Sequence, residues 1–194
     1  MKYSRITSIQ ILREAEGFNT RLVQMNRALD IAAGRINKLR ETNFPLEAIS
    51  ASSQLVELML KCLVQSYSAR RRVLSLLGEK DLYADVQFHL SDDETLGKLV
   101  GIVKGLHVNA TLVSRLQSFN SLRKEAVHHL LDSDQEIEHF DSKVEGYFQT
   151  DSYKNILKGL LDEHRRAFND FLRIVGWDKV NSVEKTENIK EQNQ

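Results

Sequence analysis

The chain has few of the residues that interrupt helices. Its 194 residues include one proline and nine glycines, and aromatic residues make up 7%. Since proline and glycine are the residues least compatible with a helix interior, this composition predicts an all-α fold. The single cysteine, Cys62, excludes an internal disulfide and a cysteine-based metal cluster.

Long apolar runs are also missing. No run approaches the roughly 18 residues that a membrane-spanning helix needs, and the N-terminus has no apolar core of the kind found in signal peptides. We therefore expect a cytoplasmic protein that does not enter a membrane.

The chain has no excess of either charge, but its charges are unevenly spread. It holds 27 Lys and Arg and 27 Asp and Glu, a balance that argues against tight nonspecific binding to nucleic acid. Residues 1–80 hold 13 Lys and Arg against 7 Asp and Glu, and the remainder holds 14 against 20. The densest basic cluster is Arg70-Arg71-Arg72. It is either a solvated helix face or a contact surface for an RNA backbone.

The first long element, residues 8–40, repeats its apolar residues at alternating spacings of four and three. These residues are Ile11, Ala15, Phe18, Leu22, Met25, Leu29, Ala32, Ile36 and Leu39. That spacing is the heptad of a left-handed coiled-coil seam. It predicts either the longest helix of a bundle or a helix that mediates dimerisation. Proline at position 45 ends the element, because proline cannot continue a helix.

The rest of the sequence predicts one helical domain over residues 1–177, made of an N-terminal helical unit (1–44) and a bundle core (45–177). A helix at residues 46–77 has a broad apolar face, so we expect it at the centre. Apolar and polar residues alternate over 82–90, which predicts a short extended segment. This segment is either a lid over the bundle or an edge that pairs with a second copy. The polar tail 178–194 is expected to be disordered.

Two capping boxes, at residues 91–94 and 133–136, predict the starts of later helices. Between them, a helix beginning at Asn109 or Thr111 carries Arg123. If Asn120 and Ser121 break that helix, Ser121 caps a new one and Arg123 lies in its first turn, where free N–H groups favour an anion. If the helix is unbroken, Arg123 falls within the apolar stripe and needs a partner.

Arg123 is followed by two histidines, His128 and His129, at the spacings R-x4-H and R-x5-H. Guanidinium binds a phosphate through a planar fork of N–H groups, and imidazole exchanges a proton near neutral pH. The pattern resembles the R-x4-6-H motif of the HEPN superfamily, small all-helical domains common in prokaryotic toxins and RNA-cleaving defence proteins. The stretches F-N-S-L at 119–122 and L-G-K-L-V-G-I-V-K-G at 96–105 also look like that family. The resemblance covers roughly residues 45–177.

The resemblance implies an all-α HEPN-like bundle that acts as a metal-independent endoribonuclease of a toxin or phage-defence system, without a cofactor. Arg123 would stabilise charge on the phosphate and a histidine would move the proton. We expect His128 in that role, because it should be the more exposed of the two and R-x4-H is the tighter family spacing. His129 is the alternative. The residues expected to contact RNA are Arg70, Arg71, Arg72 and Lys124.

The resemblance also bears on partners. HEPN domains usually pair so that two motifs meet in one cleft, which implies a homodimer that binds RNA. An antitoxin or another protein of a defence complex is a further expected partner. The competing hypothesis is a non-catalytic helical module that acts as a protein-interaction or scaffold subunit.

Overall fold

The architecture comes from a computed structural model, which describes residues 5–81, 95–128 and 134–176 together with Val86 and Leu90. Every regular element within these ranges is an α-helix, which confirms the all-α fold class. The helices run in the order α1 (Arg5–Glu41), α2 (Pro45–Leu76), α3 (Leu96–Gly105), α4 (Ala110–His128), α5 (Asp134–Gln149) and α6 (Ser152–Val175).

α2 is the central helix, as its broad apolar face predicts. It packs against each of the other five helices, and 18 of its 32 residues are buried. Pro45 starts it in the first turn, where its missing N–H costs nothing. Gly78 follows its end with a φ of +71°, and the Glu79 N–H donates to the Leu74 carbonyl at 2.9 Å. Glycine suits this position because a left-handed φ costs it no steric strain.

The heptad seam of α1 is buried within the chain. Ile11, Phe18, Met25 and Ile36 are at most 5% exposed, and α1 packs mainly along α2, with further contacts to α6. This burial favours the interpretation of α1 as the longest helix of a bundle. The seam is therefore not free to bind a second copy.

The start of α3 differs from the predicted one, and the start of α4 agrees with it. α3 begins at Leu96 after Thr95, later than expected, and the predicted capping box at 91–94 lies outside the described residues. α4 begins at Ala110, where the Asn109 Oδ1 accepts a hydrogen bond from the Thr111 N–H at 2.9 Å. α4 then continues without a break to His128, so of the two alternatives for Arg123 the structure has the unbroken helix.

The physical reason for the continuity of α4 is burial. Leu116, Phe119, Leu122 and Ala126 lie on one helical face and are at most 5% exposed. Breaking the helix at residues 120–121 would take Phe119 and Leu122 out of that common face. The loss of buried apolar area outweighs the local preference of Asn and Ser for a cap.

Of the predicted extended segment 82–90, the structure describes Val86 and Leu90. Both are partly buried against the core. The Arg71 Nη1 donates to the Val86 carbonyl at 2.9 Å, and a Cβ on Gly105 would lie 3.3 Å from the Val86 Cγ2. These contacts favour the lid interpretation. The other residues of the segment, and the predicted disordered tail 178–194, lie outside the described residues.

A buried polar cluster joins α1, α2 and α6. The Nδ1 of His164 lies 3.0 Å from the Ser66 Oγ, and its Nε2 lies 3.3 Å from the Phe18 carbonyl oxygen. Because a carbonyl oxygen can only accept, we assign the ring proton to Nε2, and Nδ1 then shares the one Ser66 hydroxyl proton with the Cys62 carbonyl oxygen, 2.9 Å from the Ser66 Oγ. The Arg21 Nε donates to the same hydroxyl oxygen at 2.9 Å. The neutral imidazole is thus satisfied inside the core.

His164 should make the fold sensitive to acid. Burial lowers its pKa to about 4, helped by the charge of Arg21 and opposed by the Phe18 carbonyl. In the unfolded chain the ring binds a proton below about pH 6.5. The free energy of unfolding should therefore fall by roughly 3 kcal/mol from this group as the pH drops from about 6.5 to 4, and no further below that.

Urea denaturation across this pH range measures the effect, with His164→Gln as the comparison. The variant keeps a polar side chain but cannot titrate, so its stability should decline less steeply with acid. An equal dependence of the free energy of unfolding on pH in the two proteins would show that folding does not lower the pKa of His164.

α4 and α6 cross closely at Gly159. A Cβ there would lie 2.9 Å from the Leu112 Cδ1, and Leu112 is buried. We expect Gly159→Ala to lower the free energy of unfolding by roughly 1–2 kcal/mol, because overpacking outweighs the gain in helix propensity. Gly101 on α3 is the matched control, since a Cβ there meets nothing within 4 Å. Gly101→Ala should stabilise by about 0.5–1 kcal/mol. A similar gain at both positions in thermal unfolding would contradict the close crossing.

Candidate functional site

Arg123 projects from α4 towards α2 and meets a carboxylate there. Its Nη2 lies 3.6 Å from the Glu57 Oε1, and the two side chains are 33% and 24% exposed. The expected need for a partner is met by Glu57, a residue that the sequence analysis did not single out. The contact exceeds hydrogen-bond distance, so the guanidinium is held near the carboxylate without its fork being filled.

The half-buried position of Arg123 follows from the helical period. It lies four residues after the buried Phe119 and three before the buried Ala126, which places it on the apolar face of α4, near the end of the helix. On α2, Glu57 lies between the fully buried Val56 and the exposed Leu58. Both charges therefore lie where the core meets solvent. Since α4 is unbroken, Arg123 does not lie in the first turn of a helix.

Asn120 lies one turn before Arg123 on α4 and faces α3. Its Nδ2 is 3.4 Å from the position that a Cβ on Gly97 would take. Its Oδ1 is buried and makes no hydrogen bond. Gly97 thus lets α3 approach the amide side chain, and an unused acceptor is left beside the Arg123 position.

The two histidines of the motif are placed only in part. His128 is the last residue of α4, but its side chain lies outside the described part of the chain, as does the whole of His129. Lys124 is exposed. The next residue, Glu125, accepts from the Lys143 Nζ of α5 at 2.6 Å. The choice between His128 and His129 stays a prediction.

The predicted basic surface at residues 70–72 does not face one direction. Arg70 is 8% exposed, and its Nη1 lies 3.8 Å from the Asp81 Oδ1. Arg71 donates to the Val86 carbonyl. Arg72 donates from Nε and Nη2 to the two Glu14 carboxylate oxygens at 2.6 and 2.9 Å. All three arginines are thus engaged within the chain, and the structure does not bring them together with Arg123.

A cleft of about 460 Å³ lies away from Arg123, between the α1–α2 turn and α5. Arg40 and Glu145 face each other across it, with the Arg40 Nη2 donating to the Glu145 Oε1 at 2.7 Å. This pairing lowers the pKa of Glu145. Asp141 also lines the cleft, and burial followed by the charge of Glu47 raises its pKa. The cleft thus holds an ion pair and a carboxylate, Asp141, whose Oδ1 makes no hydrogen bond to the residues that the structure describes.

Comparison of the chain with protein-family models, with curated proteins and with solved structures found no match in any of the three. Among the described residues, no group of three or more His, Cys, Asp and Glu side chains is placed to hold a metal ion. Within the same ranges, no helix combines the length and the apolar character needed to cross a membrane.

The arginine cluster gives a direct test of its structural role. Arg70→Gln removes a cation beside Asp81, whose side chain is 8% exposed, and should lower the free energy of unfolding by at least about 2 kcal/mol. Arg72→Gln breaks a pair whose arginine side chain is 54% exposed, and should cost less than about 1 kcal/mol. Chemical denaturation of both variants measures the difference. An unchanged free energy of unfolding in Arg70→Gln would contradict a stabilising pair between Arg70 and Asp81.

Proposed function

We propose that the protein is a metal-independent endoribonuclease of a toxin or phage-defence system, in which Arg123 binds the scissile phosphate. The observation that supports this most is the state of Arg123. It is one-third exposed, and its ion pair among the described residues, with Glu57 at 3.6 Å, is longer than a hydrogen bond. Its planar fork is therefore open to a second, bidentate anion.

The free energies of the two kinds of contact favour replacement of Glu57 by a phosphate at the Arg123 guanidinium. An ion pair with both side chains partly exposed contributes about 0.2–1 kcal/mol, whereas a hydrogen bond to a charged group contributes about 1.5–3 kcal/mol. A phosphodiester that accepts two N–H bonds from Arg123 would thus outcompete the single contact with Glu57. Glu57 then holds the guanidinium in place before substrate binds.

The reaction follows from the motif chemistry. A histidine, by our prediction His128, accepts the proton of the ribose 2′-OH as that oxygen attacks the adjacent phosphorus. Arg123 stabilises the additional negative charge on the phosphorane-like transition state. The bond to the 5′-oxygen breaks, and a proton is delivered to that oxygen. The products are a 2′,3′-cyclic phosphate and a 5′-hydroxyl end.

The resemblance further suggests that two motifs share one cleft in a homodimer. α4 packs on α2, α3 and α6, so such a pairing would use the α4 side of the molecule. Antitoxin or defence-complex proteins would bind and regulate the same assembly.

The second candidate function is a non-catalytic scaffold or interaction module. The observation that favours it is the engagement of Arg70, Arg71 and Arg72 with groups of their own chain. Without these cations, Lys124 is the remaining residue of the predicted RNA-binding set. A scaffold would use the helical surface for a protein partner and would leave RNA intact.

Cleavage of total RNA by purified protein distinguishes the two functions. We expect Arg123→Ala and His128→Ala each to reduce the cleavage rate by about 10²–10⁴-fold, because a positioned charge or acid–base group is lost. His129→Ala should lose much less.

Arg115→Ala is the matched control for this series, since Arg115 is an exposed arginine on the same helix. It should cleave as the wild type does. Equal losses in the two histidine variants would mean that both act. An intact wild-type protein that cleaves no RNA would exclude the enzyme and favour the scaffold.

A further inference from the structure

α1 carries a second stripe of residues on the side opposite its buried seam. All of its members are exposed, and by the helical period they fall within an arc of about 100°. We name this the outer stripe: Ile9, Leu12, Arg13, Glu16, Thr20, Val23, Arg27, Asp30, Ile31 and Gly34. Its four large apolar side chains, Ile9, Leu12, Val23 and Ile31, are 44–64% exposed.

The outer stripe has the spacing of a coiled-coil seam. Its members Ile9, Arg13, Glu16, Thr20, Val23, Arg27, Asp30 and Gly34 alternate at spacings of four and three. Within the described part of the chain, its four charged side chains form no ion pair. They alternate in sign along the helix in the order plus, minus, plus, minus.

We propose that the outer stripe of α1 binds the outer stripe of a second copy in antiparallel orientation. In such a pair, each seam residue faces a seam residue of the other helix. One register places Arg13 opposite Asp30 of the second copy and Glu16 opposite Arg27. Two-fold symmetry repeats each contact, so four ion pairs form from two kinds of contact.

The uncharged residues of the seam also face suitable partners in this register. Thr20 faces Val23 of the second copy, and Ile9 faces Gly34. A Cβ on Gly34 would meet nothing within 4 Å, so this position offers open space to the larger side chain. Leu12 and Ile31 flank the seam and add apolar area at its borders.

Other arrangements lose these pairs. In a parallel, in-register pair each charged residue would face its own copy, which is repulsive at every charged layer. Shifting the antiparallel register by one heptad in one direction places Arg13 opposite Val23 and Glu16 opposite Thr20. Shifting it in the other direction places Arg27 opposite Val23 and Asp30 opposite Thr20. Charge complementarity therefore selects one orientation and one register.

This interface is separate from the proposed catalytic site. Ser66, which binds Arg21 of α1, is nine residues from Glu57 on α2, about two and a half turns, and so lies on the opposite side of that helix. The pairing would leave the Arg123 side of each copy uncovered. Because half of the facing seam residues are charged and the seam lies at the protein surface, the dimer should be weak and should dissociate as salt is added.

Sedimentation velocity at up to about 0.3 mM protein in low-salt buffer tests the pairing. The wild type should dimerise reversibly. Arg13→Glu places two acids opposite each other, and Asp30→Arg places two cations opposite each other, so each should weaken self-association by at least about ten-fold. An equimolar mixture of the two variants should dimerise again, because each supplies the charges that the other lacks.

Arg35→Glu is the control, since Arg35 is exposed on α1 but lies outside the outer stripe. It changes the net charge as much as Arg13→Glu does and should leave self-association unchanged. A wild type that stays monomeric over this range would overturn the proposal. So would a dimer that both charge reversals leave intact, or a mixture of variants that stays monomeric. Since RNA cleavage is not measured here, these outcomes do not depend on the proposed function.

Discussion

The burial of α2 is the constraint on which the rest of the structure depends. This helix contacts the other five, and its side chains at Val56, Met59, Leu60 and Leu63 are fully buried. Each neighbouring helix is held in place by the apolar face that it presents to α2. A residue of α2 that is not apolar is therefore either satisfied inside the core, like Ser66, or located at its edge.

Glu57 is such an edge residue, and its place connects the fold to the proposed chemistry. α2 and α4 set the distance between Glu57 and Arg123, so the guanidinium is oriented by two packed helices rather than by a loop. A side chain positioned in this way loses less conformational entropy when it binds a phosphate. The weak contact with Glu57 thus keeps Arg123 oriented and still exchangeable.

Sequence periodicity predicted most of the helices, because long apolar stripes on α1, α2 and α6 have few ways to be buried. The sequence left open whether α4 breaks at Ser121, and the structure has the continuous helix, since the local cap preference of Asn120 and Ser121 is weaker than the burial of Phe119 and Leu122 on one face. Adjacent arginines were read as one surface, although successive helical residues point about 100° apart. Glu57 could not be predicted, because its meeting with Arg123 depends on packing between helices far apart in sequence.

Equilibrium binding of a 2′-O-methyl RNA, which cannot be cleaved, tests the central claim that the Arg123 fork is open to a phosphodiester. Titrations of wild type and Arg123→Gln over a range of salt concentrations separate this contact from any effect on catalysis. The account predicts weaker binding by the variant and a salt slope reduced by about 0.7, the value for one lost contact with single-stranded nucleic acid. Unchanged affinity and slope would contradict it.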